Sequence, residues 1–302
     1  MRNARVDLAP VALDIGRTWT RVADFLALAK PRLNFLVVAT SAAGYYLGAP
    51  GGLDVWLMAQ TVAGTALVAG GAAALNQFYE RDIDRLMQRT RTRPLPDCRI
   101  APADARVFGV VLAVLGLAIL GARANLLATS LAAATISIYL IVYTPLKRRS
   151  PLATLVGAVP GALPPLIGWT ASHGSLSIGG AALFVIVFLW QIPHFMAIAW
   201  LYRDDYRKAG LPMLPVIEPD GRKTGRQAVT YAAALVPASL VPSFVGLSGP
   251  TYFVFALALG AALVWLAVRF ARSRGSESAR ALFFGSITYL PLIWIAMIWD
   301  KL

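Results

Sequence analysis

Across 302 residues the chain is 58% hydrophobic and only 14% charged, against roughly 25% in soluble domains, which excludes an ordinary water-soluble globule. Its net charge of +13 raises the question of a nucleic-acid partner, but the basic residues sort by loop in a way that needs none. Continuous apolar runs without alternation exclude an outer-membrane barrel, and a single cysteine, Cys98, allows no intramolecular disulfide or thiolate cluster.

Residues 1–27 carry Arg2, Arg5, Arg17 and Arg21 but no compact apolar core ahead of a small-residue cleavage site. They read as a cytoplasmic tail or surface helix preceding one membrane domain over 28–302. Nine apolar segments follow, near 33–49, 56–75, 106–122, 126–145, 153–171, 178–200, 227–247, 251–270 and 281–299. Each approaches the about 20 residues that cross a hydrocarbon core. Of the 28 Lys and Arg, 26 lie in the N-terminal region or in alternate loops; Arg123 and Lys301 are the exceptions. By the positive-inside rule the expected fold is an all-α integral membrane bundle of nine transmembrane helices, N-terminus cytoplasmic and C-terminus outside.

The two longest polar loops, 77–102 and 202–226, fall on the same, cytoplasmic face. The first opens at Asn76 as NQFYERDIDRLMQRTRTRPLP. If the second apolar helix continues, Asn76, Glu80 and Asp84 share one face, because each four-residue step drifts by only about 40°. Three oxygen-bearing side chains in a stripe suit magnesium, which takes oxygen ligands and often a substrate phosphate. Arg81, Arg85 and Arg89 form a neighbouring stripe, with Arg91 and Arg93 beyond, and guanidinium groups fork onto phosphate oxygens. The plainer alternative is a salt-bridged helix end, with Asp82 and Asp84 pairing to Arg85 and Arg89. That alternative is preferred for Asp82, which lies off the stripe.

Lys147 and Arg148 stand at a cytoplasmic helix end, placed for a phosphate or an anionic lipid headgroup. Gly157, Gly161 and Gly168, with Pro160, Pro164 and Pro165, permit close helix approach or a broken helix around a ligand. His173 falls in a short loop, where exposure is the simpler reading. His194 lies within the sixth apolar segment, and three roles are open to it: metal ligand, proton carrier, or a histidine bonded to a neighbouring carbonyl. In the second polar loop Asp205 is the better candidate for a further acid near a metal, and Asp204 the lesser.

NxxxExxxD followed by RTRTRP, residues 76–94, resembles the first signature of the UbiA prenyltransferase superfamily, with Glu80 where an Asp is usual. LAKPRLNFLVV (28–38), YTPLKRRSPLATLVGAVPGALPPLIGW (143–169), PHF (193–195) and DYRKAGLPMLPV (205–216) resemble its heme O synthase branch. Ala153 departs from an Asn common there, and no DxxxD pair follows Asp204 or Asp205. The resemblance implies Mg2+ held by Asn76, Glu80, Asp84 and Asp205, with Arg89, Arg91, Lys147 and Arg148 neutralising the diphosphate of farnesyl diphosphate. It implies protoheme IX as acceptor, with His194 as axial ligand or acid/base, and heme O as product. It also implies a multi-pass protein of the bacterial inner membrane with its active site toward the cytoplasm, and leaves open a handover to a heme A synthase. Two other readings stand beside it. A polyprenyltransferase acting on an aromatic or quinone precursor would share the first loop, and a transporter would place its carboxylates at mid-membrane depth.

Overall fold

The computed structural model describes residues 15–302, with side chains from residue 20. Of the expected tail 1–27, residues 1–14 lie outside the described residues, and from Ile15 the chain forms helix α1 (Ile15–Ala29). Lys30 then adopts the left-handed region (φ 49°, ψ 55°), and the following proline disfavours continuing the right-handed helix through it. Pro31 opens α2 (Pro31–Gly48), where its missing N–H is no loss. Two side chains fix this corner: Gln77 Nε2 donates to Leu28 O at 2.7 Å and Asn34 Nδ2 to Ala29 O at 2.7 Å.

Helix α3 (Val55–Asp84) begins at Asp54, whose carboxylate accepts from Leu57 N at 2.8 Å. Its 30 residues rise about 45 Å, more than the roughly 30 Å of a hydrocarbon core, so its last turns extend past the apolar layer. The helix does continue through Asn76, Glu80 and Asp84. After α4 (Pro102–Arg123), α5 (Leu126–Ser137) runs through a π-helical turn (Ile138–Tyr143) into the short α6 (Thr144–Leu146). There follow α7 (Ala153–His173), α8 (Ile178–Leu201), the short α9 (Arg203–Lys208) and α10 (Leu214–Ile217), then α11 (Arg222–Phe244), α12 (Pro250–Ser273) and α13 (Ser276–Trp299). The one β feature among the described residues is an isolated bridge, Ser248 to Lys301.

Seven of these stretches are long and apolar enough to cross a membrane: α3, α4, α5 with α6, α8, α11, α12 and α13. Helices α2 and α7 coincide with the two remaining expected segments but fall short of that measure. They pack on each other, so they have less need of an apolar outer face. A Cβ on Gly168 of α7 would run into the Ser41 carbonyl of α2, and one on Gly44 into Pro165 O. Only glycine lets these backbones touch. Despite Pro160, Pro164 and Pro165, α7 stays one helix, so the Gly/Pro pattern signals close approach here and not a break. Trp56, Leu126, Phe244 and Trp299 project outward, well exposed, as a lipid-facing surface allows. The molecule is a multi-pass membrane protein.

Candidate active site

The end of α3, the Lys30 corner, the π turn, the start of α7 and the last turns of α8 enclose a cavity of about 460 Å³. Glu80 and Asp84 face into it from α3, 4% and 1% exposed. Carboxylates at that depth need partners, and both have one. Lys147 Nζ donates to Glu80 Oε1 and Oε2 at 3.0 and 2.9 Å. Arg93 Nη1 donates to Asp84 Oδ2 at 2.7 Å, while Asp84 Oδ1 is buried without a partner. The Lys147 ammonium, which burial opposes, is held above its ordinary pKa by Tyr143 and Glu80.

Asn76 is oriented by the π turn. Thr144 Oγ donates its only proton to Tyr139 O at 2.8 Å, so it accepts from Asn76 Nδ2 at 3.2 Å. With its amide nitrogen so engaged, Asn76 has its carbonyl oxygen left for the cavity it lines. Tyr139 and Tyr143, stacked with centroids 5.2 Å apart, line the same cavity. Gly157 makes room for the Tyr143 ring, 2.7 Å from where a Cβ would lie.

Lys30 also faces the cavity. Burial, aided by the Arg93 charge, pushes its pKa down to about 7. Arg89 lies over the Tyr202 ring at 4.7 Å, with its Nη2 3.4 Å from Tyr206 Oη. Its backbone N–H donates to Asp205 Oδ2 at 3.3 Å, which ties the two polar loops together.

The second wall comes from α8, with α13 packed behind it. His194 stacks with Trp190 (5.2 Å, 18°) and with Phe283 (5.1 Å, 21°), and its Nδ1 lies 2.9 Å from Ser286 Oγ. Gln191 Nε2 donates to Ala158 O and Val187 O, both at 3.1 Å. Gly161 is the space its amide oxygen fills.

Of the residues singled out in the sequence, Asn76, Glu80, Asp84, Arg89, Lys147 and His194 line this one cavity. Arg91 and Arg148 do not; both side chains are exposed. The expected arginine stripe ends because α3 stops at Asp84: Arg85 turns to Pro96 O and Cys98 Sγ, and Arg93 enters the cavity instead. Asp205 is outside the lining, reached only through the Arg89 backbone. Among the described residues no three His, Cys, Asp or Glu side chains gather as a metal cluster. Asp82 pairs outward with Arg81 at 3.8 Å, and Asp204 with Arg207 at 2.9 Å. His173 is exposed and bonded to Gly48 O. Sequence reasoning named Arg93 only among the loop arginines and passed over Lys30, Tyr139, Tyr143, Gln191 and Tyr206. The Lys-Pro pair and the run of arginines were visible, but nothing in them said which cations turn inward.

A buried helical stripe of Asn, Glu and Asp, met by cations, lines one end of a cavity whose remaining lining is largely apolar. The chain belongs to the UbiA prenyltransferase family, whose model matches residues 37–289. It is 45% identical over 287 residues to a protoheme IX farnesyltransferase of Solibacter usitatus, covering 92% of this chain and 98% of that protein. One from Anaeromyxobacter is 46% identical over 274 residues, covering 91% and 92%. Among solved structures, a digeranylgeranylglyceryl phosphate synthase shares the fold with a TM-score of 0.79 at 17% identity, covering 93% of this chain and 98% of that one. A UbiA homolog from Archaeoglobus fulgidus bound to GPP and Mg2+ does so with a TM-score of 0.64 at 17% identity, covering 91% and 99%.

Proposed function

We propose that this prenyltransferase moves a farnesyl group from farnesyl diphosphate to a vinyl group of protoheme IX, giving heme O. The observation that carries the acceptor is the identity of 45% across nearly the whole length of a protoheme IX farnesyltransferase. The site's chemistry supports the donor half. The partnerless Asp84 Oδ1, the Asn76 carbonyl and Glu80 are oxygen donors on one helical face, the kind of set magnesium takes together with substrate phosphate. Asp84 and Asn76 would hold Mg2+, with Glu80 as a third oxygen once Lys147 turns to the substrate. Asp205 would act from the rim, through Arg89. When bound, the metal would neutralise charge building on the leaving diphosphate.

The protein's own part is electrostatic and steric. Lys147, Arg93, Lys30 and Arg89 place positive charge where the diphosphate departs, in a site of low dielectric. Arg91 and Arg148, being exposed, would serve as outer attractors at most. The C–O bond to diphosphate breaks, the vinyl carbon bonds to the allylic carbon, and water adds to the resulting cation with release of a proton. Apolar walls from α7 and α8 keep water from the first cation until the acceptor has reacted. His194 stands on the acceptor side.

The topology belongs to the same proposal. Helices α2 and α7 complete nine spans, the N-terminus is cytoplasmic, and the site opens toward the cytoplasm at a bacterial inner membrane. The distribution of Lys and Arg supports this orientation. Mass spectrometry of heme incubated with the purified protein, farnesyl diphosphate and magnesium tests the function: a farnesyl-plus-water mass gain is expected. Prenylation of 4-hydroxybenzoate with heme unchanged would transfer the protein to the aromatic-acceptor branch.

A further inference from the structure

Ser286 sits fully buried on α13, outside every motif noted in the sequence. Its hydroxyl donates to Phe283 O at 2.7 Å, which uses its one proton. At 2.9 Å from His194 Nδ1, the same oxygen can therefore only accept. His194 must carry its proton on Nδ1, and Nε2 is a bare lone pair. The rings of Trp190 and Phe283 both stack on the imidazole, which lines the cavity. Trp190 Nε1 donates to Ser286 O at 2.7 Å and locks α8 to α13 at this level.

We propose that Ser286 is a positioning residue that fixes the His194 tautomer, so that Nε2 serves as an electron-pair donor to the iron of the porphyrin acceptor. This rests on the acceptor being protoheme. A base would end as an imidazolium, a charge this site leaves uncompensated. Among the described residues no carboxylate pairs with the ring. A neutral imidazole whose far N–H is held by an oxygen acceptor is the arrangement that metal-ligating histidines adopt. Such ligation would hold the macrocycle at a fixed distance from α8.

The test is titration of the full-length protein, in detergent, with ferric protoheme and separately with metal-free protoporphyrin IX. Wild-type protein is expected to shift the heme Soret band to an imidazole-ligated form, and His194→Ala to abolish that shift. Ser286→Ala is expected to weaken heme binding about tenfold, as loss of an outer partner does at metal sites, while leaving protoporphyrin affinity unchanged. Retained protoporphyrin binding also certifies that the variant is folded. An unaltered Soret shift in His194→Ala, or equal weakening of both porphyrins in Ser286→Ala, would overturn iron ligation and leave the farnesyl-transfer reading standing. Failure of the wild-type protein to bind either porphyrin would overturn both.

Discussion

On the α3 wall of the cavity each buried carboxylate meets a cation, Glu80 with Lys147 and Asp84 with Arg93. On the α8–α13 wall the polar groups are neutral and held by aromatic rings, a serine and backbone carbonyls. In the proposed reaction the first wall would exchange partners: its ion pairs keep opposite charges compensated, and a charged ligand with its metal would replace them. The second is built to stay still. A reaction that expels an anion on one side and must hold a flat apolar acceptor on the other asks for this division.

The largest effect should follow from Asp84→Ala, which removes the carboxylate with the free oxygen. Farnesyl transfer by the variant in membranes is expected to fall at least about a hundredfold, the cost of deleting one preorganised electrostatic group. Full activity would remove Asp84 from the metal site. Next comes Lys147→Met, which strands Glu80 without a partner. Breaking one side of a buried pair costs about 3–5 kcal/mol. Equilibrium unfolding should show most of that loss, with Glu80→Gln in the same chain restoring stability but not turnover. If the double variant recovers turnover, the pair is structural and the exchange idea fails.

A smaller effect concerns Lys30. With a pKa near 7, it is charged below neutrality and neutral above, whereas bound diphosphate favours the charged form. Inorganic diphosphate binding near pH 8 is expected to take up more protons in wild type than in Lys30→Arg. Calorimetry in buffers of different ionisation enthalpy measures that difference. The unfolded chain keeps this proton up to about 10.5, the folded one only to about 7. The Lys30 contribution to stability therefore rises with pH across that window. The smallest effect separates inward from outward arginines: Arg91→Ala and Arg148→Ala should change kcat/KM by less than about twofold, like other surface charges, while Arg93→Ala should cost far more.

The stripe of Asn76, Glu80 and Asp84 was legible because a helix of 3.6 residues per turn makes spacing equivalent to direction. Seven of the nine expected apolar segments recur as helices long and apolar enough to span, because lipid demands such runs. What spacing cannot give is where a helix stops. The end of α3 at Asp84 decided that Arg85 turns away and Arg93 turns in. Nor could it pair residues distant in sequence, as Lys147 is with Glu80 and Ser286 with His194. Lys30 was hidden for another reason: its inward placement follows from a left-handed corner before Pro31.

The π-helical turn at Ile138–Tyr143 carries one residue more than an α-helix would need between the same two points. Regular α-helical bonding through the same residues would rotate everything beyond by about 100°. Thr144 would leave Asn76, and Lys147 would swing off Glu80, with every site residue still in the chain. The charge pattern of this cavity is thus written partly as phase, the number of residues taken up by each turn of one helix, and a comparison of chains by residue identity alone would miss its loss.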